Sequence, residues 1–424
     1  MPRRRRQAPV AVAYLTFVLA GVSGGVTGVL LPVQIRDYGL DMATIGTTFF
    51  TFSAGFMLAG STSGALIHRF GIRTTLAVGG GAFVLAGLYT AVRPPFAALL
   101  AVQVLAGYGT GILESALNTF LAGLPDSTTL LNRLHAFFGV GALTGPLLAT
   151  WILGFAPWTA VWLVLALACV PLVAAFLVTL PAGASAAGAA PPSAGTPKSV
   201  RTPGPGEKGG GSLLAAVSRE PAVLLGAAFL AVYVGLELSV GNWAFTFLVD
   251  ERGQSDRLAG YIVSGYWLGL TAGRFVISPL AARAGMTPIG MTFACLFGVT
   301  AAAVFVWTVP GTAAAFAGFA LFGFWLGPLF PTTMAVAPRL ASPALVPTTI
   351  GLLNGVSVIG GALFPWLAGA IGEGLGVWTL PPYALALAVL QLAIWWMVTD
   401  RLTPVTAVPV TAAPDPAVPD PTTP

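Results

Sequence analysis

Residues 134–180 read LHAFFGVGALTGPLLATWILGFAPWTAVWLVLALACVPLVAAFLVTL and contain no Asp, Glu, Lys or Arg. A helix that crosses a bilayer needs about 20 apolar residues, so this stretch is long enough for two spans. Gly154 and Pro157 interrupt it near the middle, where a turn between helices is expected. The stretch therefore predicts a helical hairpin that crosses a membrane twice.

The rest of the chain has the same character. Of its 424 residues, 56% are hydrophobic and 8% are charged, whereas a soluble domain carries about a quarter charged residues. Further charge-poor intervals predict spans at 7–35 (ending at Pro32), 42–67, 74–92, 94–125, 221–249, 258–282, 284–338 (two spans, broken at Pro310), 348–371 and 377–399. The sequence thus predicts an all-α membrane protein of twelve transmembrane helices in two six-helix halves.

Between the halves lies a segment rich in Ala, Pro, Gly and Ser, a composition that cannot build a packed core. We expect an N-terminal half at 1–180, a flexible cytoplasmic linker at 181–220 and a C-terminal half at 221–400. The last residues, 401–424, are rich in Pro and Thr and predict a disordered cytoplasmic tail.

The basic residues are distributed unevenly over this topology. With the N-terminus in the cytoplasm, fifteen of the nineteen Lys and Arg residues lie on the cytoplasmic side, and the other four are Arg36, Arg93, Arg252 and Arg257. Cytoplasmic loops carry such an excess. We therefore expect a multi-pass protein of the cell (inner or plasma) membrane with both termini cytoplasmic. The net charge of +5 then reflects topology and the lipid bilayer, not a nucleic-acid partner.

The two halves repeat one another in sequence. One offset relates Gly46, Gly55, Arg69 and Gly71 to Gly260, Gly269, Arg283 and Gly285. A second similarity relates residues 141–147 to residues 361–367. Parallel repeats of six spans, with a solute held between the halves, are the plan of the major facilitator superfamily.

Two acids, Glu114 and Glu237, fall deep inside predicted spans, where insertion of a charge costs about 2.5–3.5 kcal/mol. Glu114 shares one face of its helix with Gln103, Gly107, Gly111 and Asn118. This stripe indicates a protonatable carboxylate beside solute-binding polar groups. The alternative is a protonated Glu that hydrogen-bonds to a neighbouring helix.

Other polar and aromatic residues are weaker candidates. For Glu237, proton coupling and structural pairing stay open. Thr27 could line the cavity with Ser23 and Gln34, or serve helix packing, and Asn242 is a further polar candidate. The candidate stacking partners for a sugar ring, which could equally be packing aromatics, are Trp243, Trp267 and Trp325.

Several stretches resemble the fucose:proton symporter family. They lie in both halves, at residues 113–120, 131–132, 138–142, 264–274, 327–332 and 361–366. The resemblance implies that Glu114 serves proton coupling and sugar binding, and that Asn118 and Asn132 belong to a polar core. In helix 1 the family's Asn-Asp pair is replaced by Thr27-Gly28, so the second coupling carboxylate is missing. Glu237 could take its place.

A second resemblance concerns the turn between helices 2 and 3. Residues 64–73, GALIHRFGIR, are similar to the gating signature of the superfamily, with His68 in place of its acid. The resemblance implies gating roles for Arg69 and Arg73. By the repeat, Arg283 corresponds to Arg69, and Arg274 is a further gating candidate that could instead reach the interface.

These features predict a secondary active transporter that moves a sugar or polyol-like solute by proton symport. The alternative is a proton-antiport exporter of a hydrophobic drug or metabolite. We expect no enzymatic activity, because no nucleotide loop or nucleophile constellation is present. With two His and two Cys residues, neither a metal site nor a cofactor is expected. The family resemblance implies a monomer that binds its solute and protons.

Overall fold

The computed structural model describes residues 3–180 and 210–402, and this part of the chain is helical throughout with short connections. The helices of the N-terminal half are α1 (Arg3–Tyr38), α2 (Met42–Ala91), α3 (Phe96–Ala122), α4 (Ser127–Leu153) and α5 (Thr159–Thr179). Those that follow are α6 (Gly210–Val217), α7 (Pro221–Thr246), α8 (Asp256–Arg283), α9 (Pro288–Thr308), α10 (Thr312–Leu326), α11 (Leu329–Val336), α12 (Val346–Leu375) and α13 (Leu380–Thr399). A π-helical segment, Phe247–Glu251, continues α7.

These helices form the twelve predicted spans. Ten helical segments of the described part are long and apolar enough to cross a membrane. One of them, α2, has 50 residues and bends at Gly71, where φ is 78° and ψ is 164°, so it holds two spans. The twelfth span is α8, which has 28 residues but carries charges at Asp256, Arg257, Arg274 and Arg283. The predicted fold class is confirmed.

Three details differ from the sequence expectations. Helix α1 continues through Pro32 to Tyr38, because a proline costs one backbone hydrogen bond that packing inside a membrane bundle can offset. Residues 210–217 of the predicted linker form α6; the linker residues 181–209 and the tail from 403 lie outside the described residues. The span after Pro310 is broken into α10 and α11 at residues 327–328.

The predicted repeat is visible in the closest helix contacts. Gly55 of α2 lies against the backbone of Val104 in α3, and its counterpart Gly269 of α8 lies against the backbone of Ala320 in α10. Helix α1 packs along α4 in the same way as α7 packs along α12. Both halves therefore use the same scaffold, in which glycine allows two helix backbones to approach closely.

The halves meet along three helix pairs, α1 with α7, α2 with α12, and α4 with α8. We call the side that holds Gly71, Leu180 and Thr399 the linker side. The other side, which holds the turns at 39–41, 92–95 and 252–255, is the opposite side. Because the spans alternate in direction, these two sides are the two membrane faces of the protein.

Candidate functional site: the cavity between the halves

On the opposite side the halves are in close contact. Gly46 of α2 lies against the Trp366 side chain of α12, and Gly28 of α1 lies against the backbone of α7 at Gly241. The backbone N–H of Met42 donates a hydrogen bond of 2.9 Å to Oε2 of Glu373. This carboxylate thus binds the N-terminus of α2, where a negative charge is favoured. The opposite side is closed.

On the linker side the same helices diverge. Gly60 and Gly64 lie 14 and 18 residues after Gly46, which places all three on one face of α2. Apart from the backbone of their own helix, no atom of the described residues lies within 4 Å of the Cβ position of either glycine, and the same holds for Gly351 and Gly355 on α12. The space between the halves therefore opens on the linker side.

Glu114 lies on the inner face of α3. It is half-buried and lies nine residues, or about two and a half helical turns, from Leu105, so the two side chains are on opposite faces of α3; Leu105 is 37% exposed on the outer surface. Among the described residues, none makes a hydrogen bond or an ion pair with its carboxylate. The Nδ2 group of Asn118 donates a hydrogen bond of 2.9 Å to the backbone oxygen of Glu114 instead. Glu114 is thus a carboxylate without a partner inside the bundle.

Glu237 has the opposite environment. Arg274 Nη2 lies 3.5 Å from Glu237 Oε1, and the exposed fractions of the two side chains are 28% for Arg274 and 13% for Glu237. The hydroxyl of Tyr266 donates a hydrogen bond of 2.8 Å to the backbone oxygen of Glu237. Tyr233, fully buried, lies within electrostatic reach of both charges. Of the two alternatives for Glu237, the geometry favours pairing over a free proton carrier.

The break between α10 and α11 provides Arg274 with a second hydrogen-bond acceptor. A proline has no N–H, so Pro331 cannot bond to the carbonyl of Gly327 four residues earlier. Nε of Arg274 lies 3.4 Å from that carbonyl oxygen. The sequence Gly-Pro-x-x-Pro at 327–331 thus creates a free backbone acceptor that holds the guanidinium beside Glu237, and broken helices of this kind mark solute sites in transporters.

Arg274 faces the other half of the molecule. On the same face of α8, Thr271 lies against Gly139 of α4 and Gly260 lies against Thr150. One turn further toward the linker side, His135 of α4 lies within electrostatic reach of Arg274. The His135 ring also packs edge-on against Phe17 at 5.6 Å. Sequence reasoning missed His135 because a single histidine without a partner motif carries no signal.

The polar candidates occupy different places. Asn118 and Thr27 are half-buried in the N-terminal half, and the Thr27 hydroxyl donates 3.2 Å to the backbone of Ser23. Asn132 is exposed near the start of α4. Gln103 lines a small gap with Phe83 and Trp162 near the opposite side. Of the predicted stripe on α3, the structure therefore gives Glu114 and Asn118, but not Gln103, a place near the open part of the cavity.

The tryptophans lie mainly in packing positions. Trp243 is buried in the closed side, where Nε1 donates 2.7 Å to the carbonyl of Pro365. Trp267 is buried against Gly241, and Trp325 lies over Gly298 of α9. Asn242, 7% exposed, lies where α7 crosses α1. These placements favour the packing alternative for the three tryptophans.

The predicted gating arginines fall into two groups. Arg69 and Arg283 are exposed at the linker side, and Arg73 is half-buried there. The guanidinium of Arg69 lies 5.2 Å from the ring centre of Phe70. Arg274 does not join them, because its side chain points to Glu237 and Gly327 inside the bundle.

Charged groups also form hydrogen bonds at the helix ends on the opposite side. Arg93, in a turn with φ of 54°, donates 2.7 Å to Asp37, and this hydrogen bond raises the pKa of the guanidinium. Trp158 Nε1 donates 2.9 Å to the same carboxylate. Asp41 caps α2 by accepting from the N–H of Thr44, which lowers the pKa of Asp41.

The family model described as Major Facilitator Superfamily matches residues 13–255 and 227–422. "Bypass of stop codon protein 6" of Saccharomyces cerevisiae is 24% identical over 402 residues, covering 88% of this chain and 78% of that protein.

Two further proteins, which match over a shorter length, are named for their function. A "Glucose/galactose transporter" of Brucella abortus is 30% identical over 37% of this chain and 37% of its own length. A "Multidrug resistance protein B homolog" of Mycobacterium tuberculosis is 31% identical over 41% of this chain and 30% of its own length.

Solved structures share the fold at low sequence identity. The nucleoside transporter NupG superposes with a TM-score of 0.74 at 14% identity, covering 93% of this chain and 100% of that one. The E. coli fucose:proton symporter FucP gives 0.61 at 17% identity, covering 93% and 99%. The family match spans both halves and the described cavity lies between them; the chain is a membrane transporter of the Major Facilitator Superfamily and not an enzyme.

Proposed function

We propose that this transporter carries a sugar or polyol-like solute together with protons, and that Glu114 is the proton-binding residue. The observation that supports this is the half-buried Glu114 carboxylate, which has no hydrogen-bond or ion-pair partner in the part of the chain that the structure describes. An ionised carboxylate without a partner is unfavourable at low dielectric, and binding a proton removes that cost. Nearby Asn118 supplies a polar group for a solute.

The orientation of the proposed transporter follows from charge. Because basic residues concentrate on the linker side, we place that side in the cytoplasm and the protein in the cell membrane. The closed side, with Met42 and Glu373 in contact, then faces outward. The described conformation is the one that releases solute and proton to the cytoplasm.

Transport in this proposal is a rocking of two rigid halves. When the contacts of Gly46 and Gly28 separate, the cavity opens outward and Glu114 takes up a proton and the solute binds beside it. The α4–α8 contact at Gly139 is the natural pivot, since it lies between the closed and open ends. A potential of 100 mV contributes about 2.3 kcal/mol per charge, enough for roughly fifty-fold accumulation of a neutral solute.

A second candidate function is export of a hydrophobic compound by proton antiport. The similarity to the multidrug resistance protein homolog over part of the chain favours it. So does the missing acid of helix 1, where Gly28 stands. The similarity to the glucose/galactose transporter and the paired charges of the C-terminal half favour a polar solute instead.

The test is external pH in a lightly buffered, de-energised suspension of cells that express the protein. Neutral sugars are added one at a time. We expect alkalinisation with at least one sugar and its loss in Glu114→Gln. Gly81→Ala is the control, because the new methyl group would meet no described residue of a neighbouring helix within 4 Å. No response across a broad sugar panel, together with proton-driven export of hydrophobic compounds, would instead establish the second candidate.

A further inference from the structure

We infer that Glu237, Arg274 and Tyr233 form the part of the solute site that belongs to the C-terminal half, and that their paired charges select a neutral polyhydroxy solute over charged analogues. This inference rests on the proposed function, since it assumes that the cavity holds a solute. It assigns to Arg274 and Glu237 a binding role in place of gating and proton coupling.

The first observation is that the pair is reachable from the cavity. Both residues lie inside transmembrane helices, yet the side chain of Arg274 is 28% exposed and that of Glu237 is 13% exposed. Neighbours on the same face of α8, Thr271 and Gly260, contact α4 of the other half. The exposed part of Arg274 therefore faces the space between the halves and not the lipid.

The second observation is that the pair is loosely held. Its contact is a single approach of 3.5 Å, and the Nε contact to Gly327 is 3.4 Å, whereas charge-assisted hydrogen bonds are normally about 2.7–2.9 Å. A guanidinium has five N–H donors in a planar fork, and a carboxylate has about four acceptor positions. Most of this capacity is not used by the described protein atoms, so it is free for solute hydroxyls.

The third observation is an unpartnered polar atom at the same place. The hydroxyl of Tyr233 is buried and close to the charged pair, but it makes no hydrogen bond of good geometry to any described residue. It lies within electrostatic reach of Glu237 and Arg274, and its ring packs at 5.9 Å against Phe330. A buried hydroxyl normally has a partner, and a solute hydroxyl beside the pair would supply one.

The charges of the pair determine the preferred solute class. Arg274 donates to hydroxyl oxygens and Glu237 accepts hydroxyl protons, which together bind neighbouring hydroxyl groups. The two charges cancel, so a neutral solute leaves no net charge inside the bundle. An anionic solute is attracted by Arg274 but repelled by Glu237, and the reverse holds for a cationic solute. Specificity thus includes repulsion of the wrong ligand.

Binding of three matched probes to the purified full-length protein tests this inference. The probes are D-galactose, its acid D-galacturonate and its amine D-galactosamine; the D-glucose series is used where wild-type protein binds glucose better. Wild-type protein should prefer the neutral sugar. Glu237→Gln should raise the affinity for galacturonate relative to galactose by about tenfold, because Arg274 is left unopposed.

The opposite shift is expected for Arg274→Gln, which leaves Glu237 unopposed and should raise the relative affinity for galactosamine by about tenfold. The double variant E237Q/R274Q should return to a neutral preference. A purely structural ion pair would weaken all three probes alike. If Arg274→Gln does not fold, the Glu237→Gln and double variants still decide the matter.

The outcomes separate the two proposals. Binding of a neutral sugar by wild-type protein with no change of charge preference in the variants overturns this inference and leaves the proposed function intact. Failure of wild-type protein to bind any neutral sugar overturns the proposed function and this inference together.

Discussion

The two halves of the protein share one scaffold but carry different charges. The offset of 214 residues that relates Gly55 to Gly269 places Gly60 of the N-terminal half at the position of Arg274. Gly111 and Gly327 make equivalent helix contacts and are 216 residues apart. With this offset, Phe330 of the C-terminal half stands at the position of Glu114. Each half thus has a charged group where the other has an apolar or absent side chain.

The repeated positions of the two halves determine how the helices pack, whereas single positions that differ between the halves determine which charges the bundle contains. In the N-terminal half Glu114 has no partner among the described residues, so a proton or a solute group would have to neutralise its charge. In the C-terminal half Arg274 lies beside Glu237 at 3.5 Å, so that carboxylate is compensated by the protein itself. A lone acid suits proton transfer, and a compensated pair suits a neutral ligand.

The largest expected effect concerns the shared scaffold. A methyl group at Gly55 or at Gly269 would overlap the facing backbone of Val104 or Ala320. We expect Gly55→Ala and Gly269→Ala each to destabilise the purified protein by about 1–3 kcal/mol, and by similar amounts. Thermal unfolding in detergent measures this. Gly81→Ala, which meets open space, should leave stability unchanged or raise it slightly.

The shared-scaffold account would be contradicted by a large loss at one of these two glycines and none at the other. Such a result would mean that the two helix pairs, α2 with α3 and α8 with α10, do not contribute equally to the stability of the protein.

A medium effect should distinguish the two acids. Arg274→Ala leaves the charge of Glu237 without compensation. Breaking a fully buried pair lowers the free energy of unfolding by about 3–5 kcal/mol. For this partly exposed pair we expect a loss of about 2 kcal/mol. Glu114→Ala removes no partner contact and should change the free energy of unfolding by less than about 1 kcal/mol. The two variants are compared by thermal unfolding.

The double variant E237Q/R274Q serves as the control for that comparison, because it removes both charges and should recover most of the lost stability. Equal destabilisation by Arg274→Ala and Glu114→Ala would show that Glu114 also has a structural partner.

The smallest effect is a pH dependence at the end of α2 that lies on the opposite side. The N–H and hydroxyl of Thr44 hold the pKa of Asp41 below its usual range. The stability that Asp41 contributes is therefore present above the ordinary Asp pKa and is lost as pH falls through the lowered value. The difference in melting temperature between wild-type protein and Asp41→Ala should shrink on acidification. A difference that is constant with pH would contradict this prediction.

Much of the fold could be predicted from the sequence, because span length and charge distribution leave few alternatives in a membrane. The sequence repeat identifies the two halves, and its corresponding glycines Gly71 and Gly285 both have the positive φ that such turns favour. Pro32 was misread as a helix end, since local propensity does not show the packing of α1 against its neighbours.

The site was predicted less completely. Glu114 stands out as a single acid in an apolar span, and the structure places it on the inner face of α3. The pairing of Glu237 with Arg274 joins residues 37 positions apart on different helices, and the bond from Met42 to Glu373 joins residues 331 apart. Such contacts depend on how helices are arranged, which periodicity along one helix cannot reveal.

The most direct test of the account compares Glu114→Gln with Glu237→Gln in proteoliposomes, using the neutral sugar that wild-type protein transports. Proton uptake with the sugar and exchange of labelled sugar across the membrane are measured on the same preparation. We predict that Glu114→Gln loses proton uptake but keeps sugar exchange, whereas Glu237→Gln keeps proton uptake per sugar and needs a higher sugar concentration. Proton uptake that persists in Glu114→Gln, or that is lost only in Glu237→Gln, would contradict the assignment of the two acids.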